Sequence, residues 1–249
     1  MPERAGYERS AHLYDLFDTK PNIDFFYHYA AEAGEILDVG AGTGRIGIPL
    51  ARRGIPVTCV EPSPAMRRQF ESKLRMEESL RGHITLIEGD AQSFAIGRTF
   101  PAAFLSGAFD HLLDDQERLA ALHNIGRHLR PGGPLVLDVF LGLMGDSRLA
   151  PAGVVTEGAR EIRRFVGGHA LPDGRKETHL VFETYQSGAL IERVEERSLV
   201  GITDRETIDR LLQAADFAVR REWGSYDFEP FRPGNSLLIL EAVNLGEPQ

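Results

Sequence analysis

Short apolar runs alternate with amphipathic stretches through the first 140 positions. The runs at 36–39, 57–61, 84–91, 102–108 and 135–140 have apolar centres rich in Val, Ile, Leu and Phe, as in strands covered on both faces. Between them the apolar positions fall at helical spacing. Ile23, Phe26, Tyr27 and Ala30 mark a helix over 22–33, with Asn22 to cap it and Gly34 to stop it. Ile46, Ile48, Leu50 and Ala51 mark a second helix before Gly54. Met66, Phe70 and Leu74 mark a third, and Leu119, Leu122, Ile125 and Leu129 a fourth over 115–129. Strand–helix alternation of this kind predicts an α/β sheet with helices on both faces.

The pattern changes after residue 140. The stretches 161–166, 179–185 and 190–200 read as extended, and 171–175 and 187–188 as turns between them, so an antiparallel insertion is expected. Thr203 and Glu206 have capping-box spacing for a helix to about residue 215. Strands at 217–223 and 236–243 then return to the main sheet. The chain divides into an N-terminal lid and helix (1–34), a core (35–140), the insertion (141–201) and the C-terminal part of the core sheet (202–249).

The stretch from Glu35 to Arg45 organises the rest. An apolar run, Ile36, Leu37 and Val39, encloses Asp38, and Gly40, Gly42 and Gly44 follow before the helix starts. Glycines let a backbone turn sharply and approach a ligand closely. A dinucleotide site would space them G-x-G-x-x-G. Here the spacing is one residue shorter, which disfavours a nicotinamide oxidoreductase. The acid at 38 and the G-x-G-x-G turn resemble motif I of the class I S-adenosylmethionine (SAM) methyltransferases.

That resemblance covers about residues 35–140 and implies a Rossmann-like, seven-stranded sheet whose last strand runs antiparallel between the fifth and sixth. It places the turn of Gly40, Ala41, Gly42 and Gly44 under the methionine part of SAM and counts Asp38 and Arg45 among the cofactor-binding residues. Glu61, about twenty residues past the turn, has the spacing of an acid that accepts from ribose hydroxyls; Pro62 follows it within a 60–66 run close to the family's segment. Asp90 and Ala91 match positions that read adenine, with Phe94 beside the ring. The 106–111 run lacks the Asn-Pro-Pro-Tyr or Asp-Pro-Pro-Tyr of enzymes that methylate base amino groups. It resembles small-molecule enzymes instead, including N-methyltransferases of amino sugars and antibiotics. Ser106 and Phe109 would then lie against the cofactor, and His111 would face the acceptor as general base, with Tyr14 orienting it and helping to enclose the site. The resemblance implies a small-molecule acceptor, with an amine nitrogen expected; an O-methyltransferase, a SAM-binding module without catalysis and an NAD-binding protein are the alternatives.

Composition changes the picture little. The chain of 249 residues is 42% hydrophobic and 26% charged, ordinary for a globular protein. A net charge of −9 argues against a nucleic-acid partner, because phosphate contacts need clustered Lys and Arg. The single cysteine, Cys59, precludes an intrachain disulfide and sits in a strand run. His123 and His128 do not share a helix face, and no H-E-x-x-H is present, so no metal is expected. No long apolar segment and no leader sequence are read, so a cytoplasmic protein away from membranes is expected. Apolar residues in the insertion, among them Phe165, Leu180, Phe182, Tyr185, Leu190 and Val194, require a cover, so the insertion is expected to cover the active site, to join a partner's strands in a homodimer through residues 150–200, or both.

Overall fold

The computed structural model describes residues 7–17, 22–141 and 145–246. Its centre is a seven-stranded sheet of order β10-β11-β5-β4-β1-β2-β3. The strands are β1 (Ile36–Val39), β2 (Val57–Glu61), β3 (Ile84–Glu88), β4 (Ala103–Leu105), β5 (Pro134–Phe140), β10 (Phe217–Trp223) and β11 (Leu237–Asn244). All neighbours pair in parallel except β11, which is antiparallel to both β5 and β10, as expected. β1, β2 and β4 are buried along their whole length.

Alternation along these strands builds two cores. Leu37, Leu105, Leu135 and Leu137 face Leu122, Ile125 and Leu211 of α5 (Asp115–Arg127) and α6 (Arg205–Ala214). Ile36, Cys59, Phe104 and Val136 face Phe25 and Phe26 of α2 (Ile23–Ala33), Leu50 of α3 (Gly47–Arg52) and Phe70 of α4 (Pro64–Met76). Each such fully buried Leu, Ile or Phe contributes about 1.5–3 kcal/mol relative to exposure. Asp38 and Asp138 lie on the second face, interrupting apolar strands.

Side-chain caps explain the starts of α4, α5 and α6. Ser63 accepts from the Met66 N–H at 3.1 Å and Asp114 from the Glu117 N–H at 2.9 Å. Two expectations need correction. Asn22 makes no side-chain cap bond to α2. The cap of α6 is Asp204, accepting from the Thr207 N–H at 2.8 Å, not Thr203. An aspartate one residue later offers a stronger acceptor and takes the position, while the Thr203 hydroxyl is buried with no hydrogen-bond partner among the described residues. The fourth strand is also shorter than expected. The Asp138 carboxylate takes the Ser106 hydroxyl and, at 2.7 Å, the Gly107 N–H, drawing the chain out of the ladder after Leu105.

The insertion is a separate antiparallel sheet of four strands, β6 (Ser147–Glu157), β7 (Arg160–Ala170), β8 (Arg175–Gln186) and β9 (Ala189–Gly201), in that order. The sequence reading expected three. β6 escapes it because the strand lies at an edge, is mostly exposed, and carries Pro151 and two register shifts, so no alternation survives. Helix α1 (Ala11–Phe17) packs on one face of this sheet. Phe17 stacks on Phe182 at 5.6 Å, Arg164 lies over Phe17 at 4.9 Å, and Ser10 donates to Glu196. The same helix grips the glycine turn and α4: Asp15 accepts from Thr43 at 2.6 Å and pairs with Lys73 at 2.5 Å.

Candidate functional site

A cavity of about 600 Å³ opens at the carboxyl ends of β1, β2, β3 and β4. This is the switch point of the sheet, where strand order reverses between β1 and β4 and open α/β sheets take their ligands. Twelve of the fifteen residues singled out from the sequence line it: Tyr14, Asp38, Gly40, Ala41, Gly42, Arg45, Glu61, Pro62, Asp90, Ala91, Ser106 and His111. Gly44 and Phe109 do not. A methyl group at Gly44 would lie 2.5 Å from the Phe70 ring, so that glycine serves packing. Phe109 is fully buried in the core, with the Arg118 guanidinium 5.6 Å from its ring centre. Phe94 is likewise in the core, 4.5 Å from the His128 ring.

The glycine turn has its amides committed. Gly40 and Ala41 donate to the Val60 carbonyl at 2.8 and 3.1 Å, and Gly44 donates to the Ala41 carbonyl at 3.0 Å. Gly42 donates to Glu61 Oε2 at 2.7 Å, and Ser63 donates to Oε1 at 2.8 Å. These four turn amides are therefore spent on the protein, and the anion beside them is a buried glutamate. A pyrophosphate would meet a carboxylate where it needs donors. A diol suits the place better, because each Glu61 oxygen keeps a second lone pair. Burial pushes the Glu61 carboxyl up, opposed by the two N–H bonds.

Asp38 is 2% exposed, and its Oδ2 finds no hydrogen-bond partner among the described residues. Burial pushes its carboxyl up to about 7, against the nearby Arg45 guanidinium and with help from Glu61. Arg45 reaches Ser106 Oγ at 3.4 Å. Asp138 anchors that serine and accepts from Tyr226 at 2.7 Å, so one buried carboxylate fixes the loop after β4. Asp90 is exposed at the end of β3 and accepts from Gln92 N–H at 3.0 Å and the Ser93 hydroxyl at 2.8 Å.

His111 ends a single 3-10 turn, Phe109–His111, at the far wall. Burial lowers its basicity below the ordinary histidine range. The Tyr7 ring stands edge-on to it at 6.3 Å and edge-on to Tyr14 at 4.8 Å. Tyr7, Ser63, Met66, Gln92, Leu112 and Glu117 also line the cavity and were not singled out from the sequence. Ser63 and Met66 lie inside the 60–66 run and were within reach of it; Tyr7 and Glu117 carry no local signal. Among the described residues the inserted sheet contributes nothing to the lining, and no His, Cys, Asp and Glu side chains gather in a metal-binding group.

Residues 36–133 match a methyltransferase domain family. That segment of the chain is similar to methyltransferase domains. Over 112 residues it is 31% identical to the cypemycin N-terminal methyltransferase of a Streptomyces species, an alignment that covers 45% of this chain and 44% of that protein. The chain spans about half the length of the curated relatives it matches. Two solved structures share the fold. A SAM-dependent methyltransferase from Clostridium acetobutylicum superposes with a TM-score of 0.79 at 17% identity, covering 96% of this chain and 99% of that one. SAM-bound CalS10, an amino pentose methyltransferase from Micromonospora echinaspora, superposes with a TM-score of 0.72 at 23% identity, covering 92% and 94%. The match to that family ends at residue 133, before β5, the inserted sheet, β10 and β11.

Proposed function

We propose that the protein transfers the methyl group of SAM to an amine nitrogen of a small molecule. The observation that carries this reading is the glycine turn: its amides are consumed, the space over Gly42 is open, and the nearest acid is held ready for a diol. Glu61 takes the ribose hydroxyls, Asp90 and Ala91 take the adenine edge, and Asp38 with Arg45 takes the charged amino-acid end. The orphaned Asp38 oxygen fits an ammonium donor. Bound SAM supplies an electrophilic methyl on a sulfonium.

The remaining work falls to the wall made by Tyr7, Tyr14 and His111. The two tyrosines exclude water and hold the acceptor in line, which is worth several kcal/mol in such reactions. His111, neutral because burial disfavours its cation, accepts the proton that an ammonium must lose before attack. A hydroxyl holds its proton far more tightly, and a histidine of lowered basicity is poorly suited to remove it. Two proteins similar to this chain, an N-terminal methyltransferase and an amino pentose methyltransferase, bear names that point the same way.

A methyl-transfer assay with labelled SAM against paired amines and alcohols tests the reading. Label is expected on amines. His111→Ala should lower turnover about 10²–10⁴-fold with SAM affinity unchanged. The neutral histidine is the active form, so wild-type turnover should hold above the depressed pKa and fall as pH drops through it, below 6.5. The variant should lose that limb. Label on alcohols alone, or a few-fold loss in the variant, would overturn the nitrogen acceptor or the base.

The protein also pairs with a second copy through β6. That strand has one unpaired edge, and Leu149, Val154 and Val166 expose apolar surface beside it.

A further inference from the structure

The loop between β10 and β11 contributes nothing to the lining of the cavity, yet one of its side chains reaches a group that does. The loop turns back on itself: the Gly224 N–H donates to the Glu229 carbonyl at 2.7 Å, and Trp223 bridges to Pro230. Phe228 adopts a φ of +61°. Left-handed backbone is costly for a side chain with a Cβ and persists where packing over-determines it. Here the Phe228 ring packs on Phe25, His28 and Trp223, with ring centres 4.6, 5.2 and 5.5 Å away. Tyr226 shares that packing, its ring 5.5 Å from Phe25 and 5.7 Å from Phe26 of α2. Aromatic surface thus fixes the ring and aims its hydroxyl inward.

That hydroxyl donates to Asp138 Oδ2 at 2.7 Å. Asp138 is 2% exposed, and a buried carboxylate depends on its donors. The Ser106 hydroxyl shares Oδ2 with Tyr226, and the Gly107 N–H reaches Oδ1 at 2.7 Å. Burial and the Asp138 charge push the Tyr226 phenol above the ordinary tyrosine range, so it stays a donor across neutral pH. Ser106 spends its proton on Asp138 and therefore turns a lone pair to Arg45 Nη2 at 3.4 Å. A chain of contacts runs from the loop through Asp138 and Ser106 to the arginine that lines the cavity.

We propose that Tyr226 is a positioning residue for the amino-acid end of SAM: it holds Asp138, Asp138 holds Ser106, and Ser106 aims Arg45 at that end of the cofactor. The inference rests on the methyltransferase reading, which gives the amino-acid end to Asp38 and Arg45. It extends the cofactor site to a residue well beyond the segment 36–133 that matches the family. Without the phenol hydroxyl, Asp138 keeps its burial with one donor fewer, and the serine it shares is less firmly aimed.

S-adenosylhomocysteine and 5′-methylthioadenosine share the adenosine and the sulfur and differ in the amino-acid end, so they serve as probes. Each is titrated by calorimetry into wild type, Tyr226→Phe, Ser106→Ala and the double variant. Phenylalanine keeps the ring against Phe25 and Phe26, so the fold should be retained. Wild type should prefer S-adenosylhomocysteine, and Tyr226→Phe should weaken it about tenfold while 5′-methylthioadenosine binds as before. In the Ser106→Ala background the Tyr226→Phe change should add little, because the link to Arg45 is already cut. Equal weakening of both probes, up to loss of both, makes Tyr226 a support of the fold and overturns the assignment. Unchanged S-adenosylhomocysteine affinity in Tyr226→Phe, or additive losses in the double variant, overturns it too. So does a wild type that binds both probes equally, because the amino-acid end then goes unread. A wild type that binds neither probe overturns the methyltransferase reading and the assignment with it, an outcome distinct from all the others.

Discussion

Three glycines at alternate positions look equivalent in the sequence and are not. A methyl at Gly40 would lie 2.5 Å from the Ala108 Cβ, and one at Gly44 would strike Phe70, so both permit close packing. At Gly42 a methyl meets nothing within 4 Å, yet φ is +59°, and the space it would occupy is the cavity. Gly42→Val should therefore fold with a penalty of about 1–2 kcal/mol for the left-handed backbone and lose cofactor binding outright. Gly44→Val should be destabilised by several kcal/mol through overpacking. Thermal melts and S-adenosylhomocysteine titration separate the two. A Gly42→Val protein that binds the cofactor normally would reduce the turn to a structural feature. Glu61 has a comparable double role, bracing Gly42 and Ser63 while facing the cavity, which spacing alone did not reveal.

Elements were legible where an apolar run or face survives in the sequence, and illegible where none does. β1 through β5 and their helices follow from apolar runs and 3.6-residue spacing, because each position answers to a core. β6 answers to none, and its proline and register shifts erase the alternation. The insertion's apolar face was legible, but its cover was not: Phe182 is 2% exposed because Phe17 of α1 lies on it, a contact between residues far apart in the chain. Phe182→Glu would thus break the chain's own packing and could not report on pairing between copies. Val154, 58% exposed on β6, can. If two copies join edge to edge, Val154→Glu should weaken the dimer by about 1–3 kcal/mol, read by light scattering as a shift toward monomer. A wild-type protein that stays monomeric at high concentration would rule the interface out.

At the scale of the molecule, the fold gathers its chemistry by topology. Asp38, Glu61, Asp90 and Ser106 are distant in sequence and adjacent in space because each lies at or just past the carboxyl end of a parallel strand. Helix α1 and the Ser10 before it then join the glycine turn and α4 to the inserted sheet, holding Thr43 and Lys73 on one side and Glu196 and Phe182 on the other, and so bring Tyr14 to the cavity. This closure depends on side chains that no motif records, and the cavity beneath it is the feature from which every functional statement follows. Calorimetric titration of S-adenosylhomocysteine and of NAD into wild type and Glu61→Ala tests it most directly. S-adenosylhomocysteine should bind wild type and NAD should not, and Glu61→Ala should weaken the first by about 1–3 kcal/mol. Folded wild-type protein that ignores S-adenosylhomocysteine, or prefers NAD, would contradict the account.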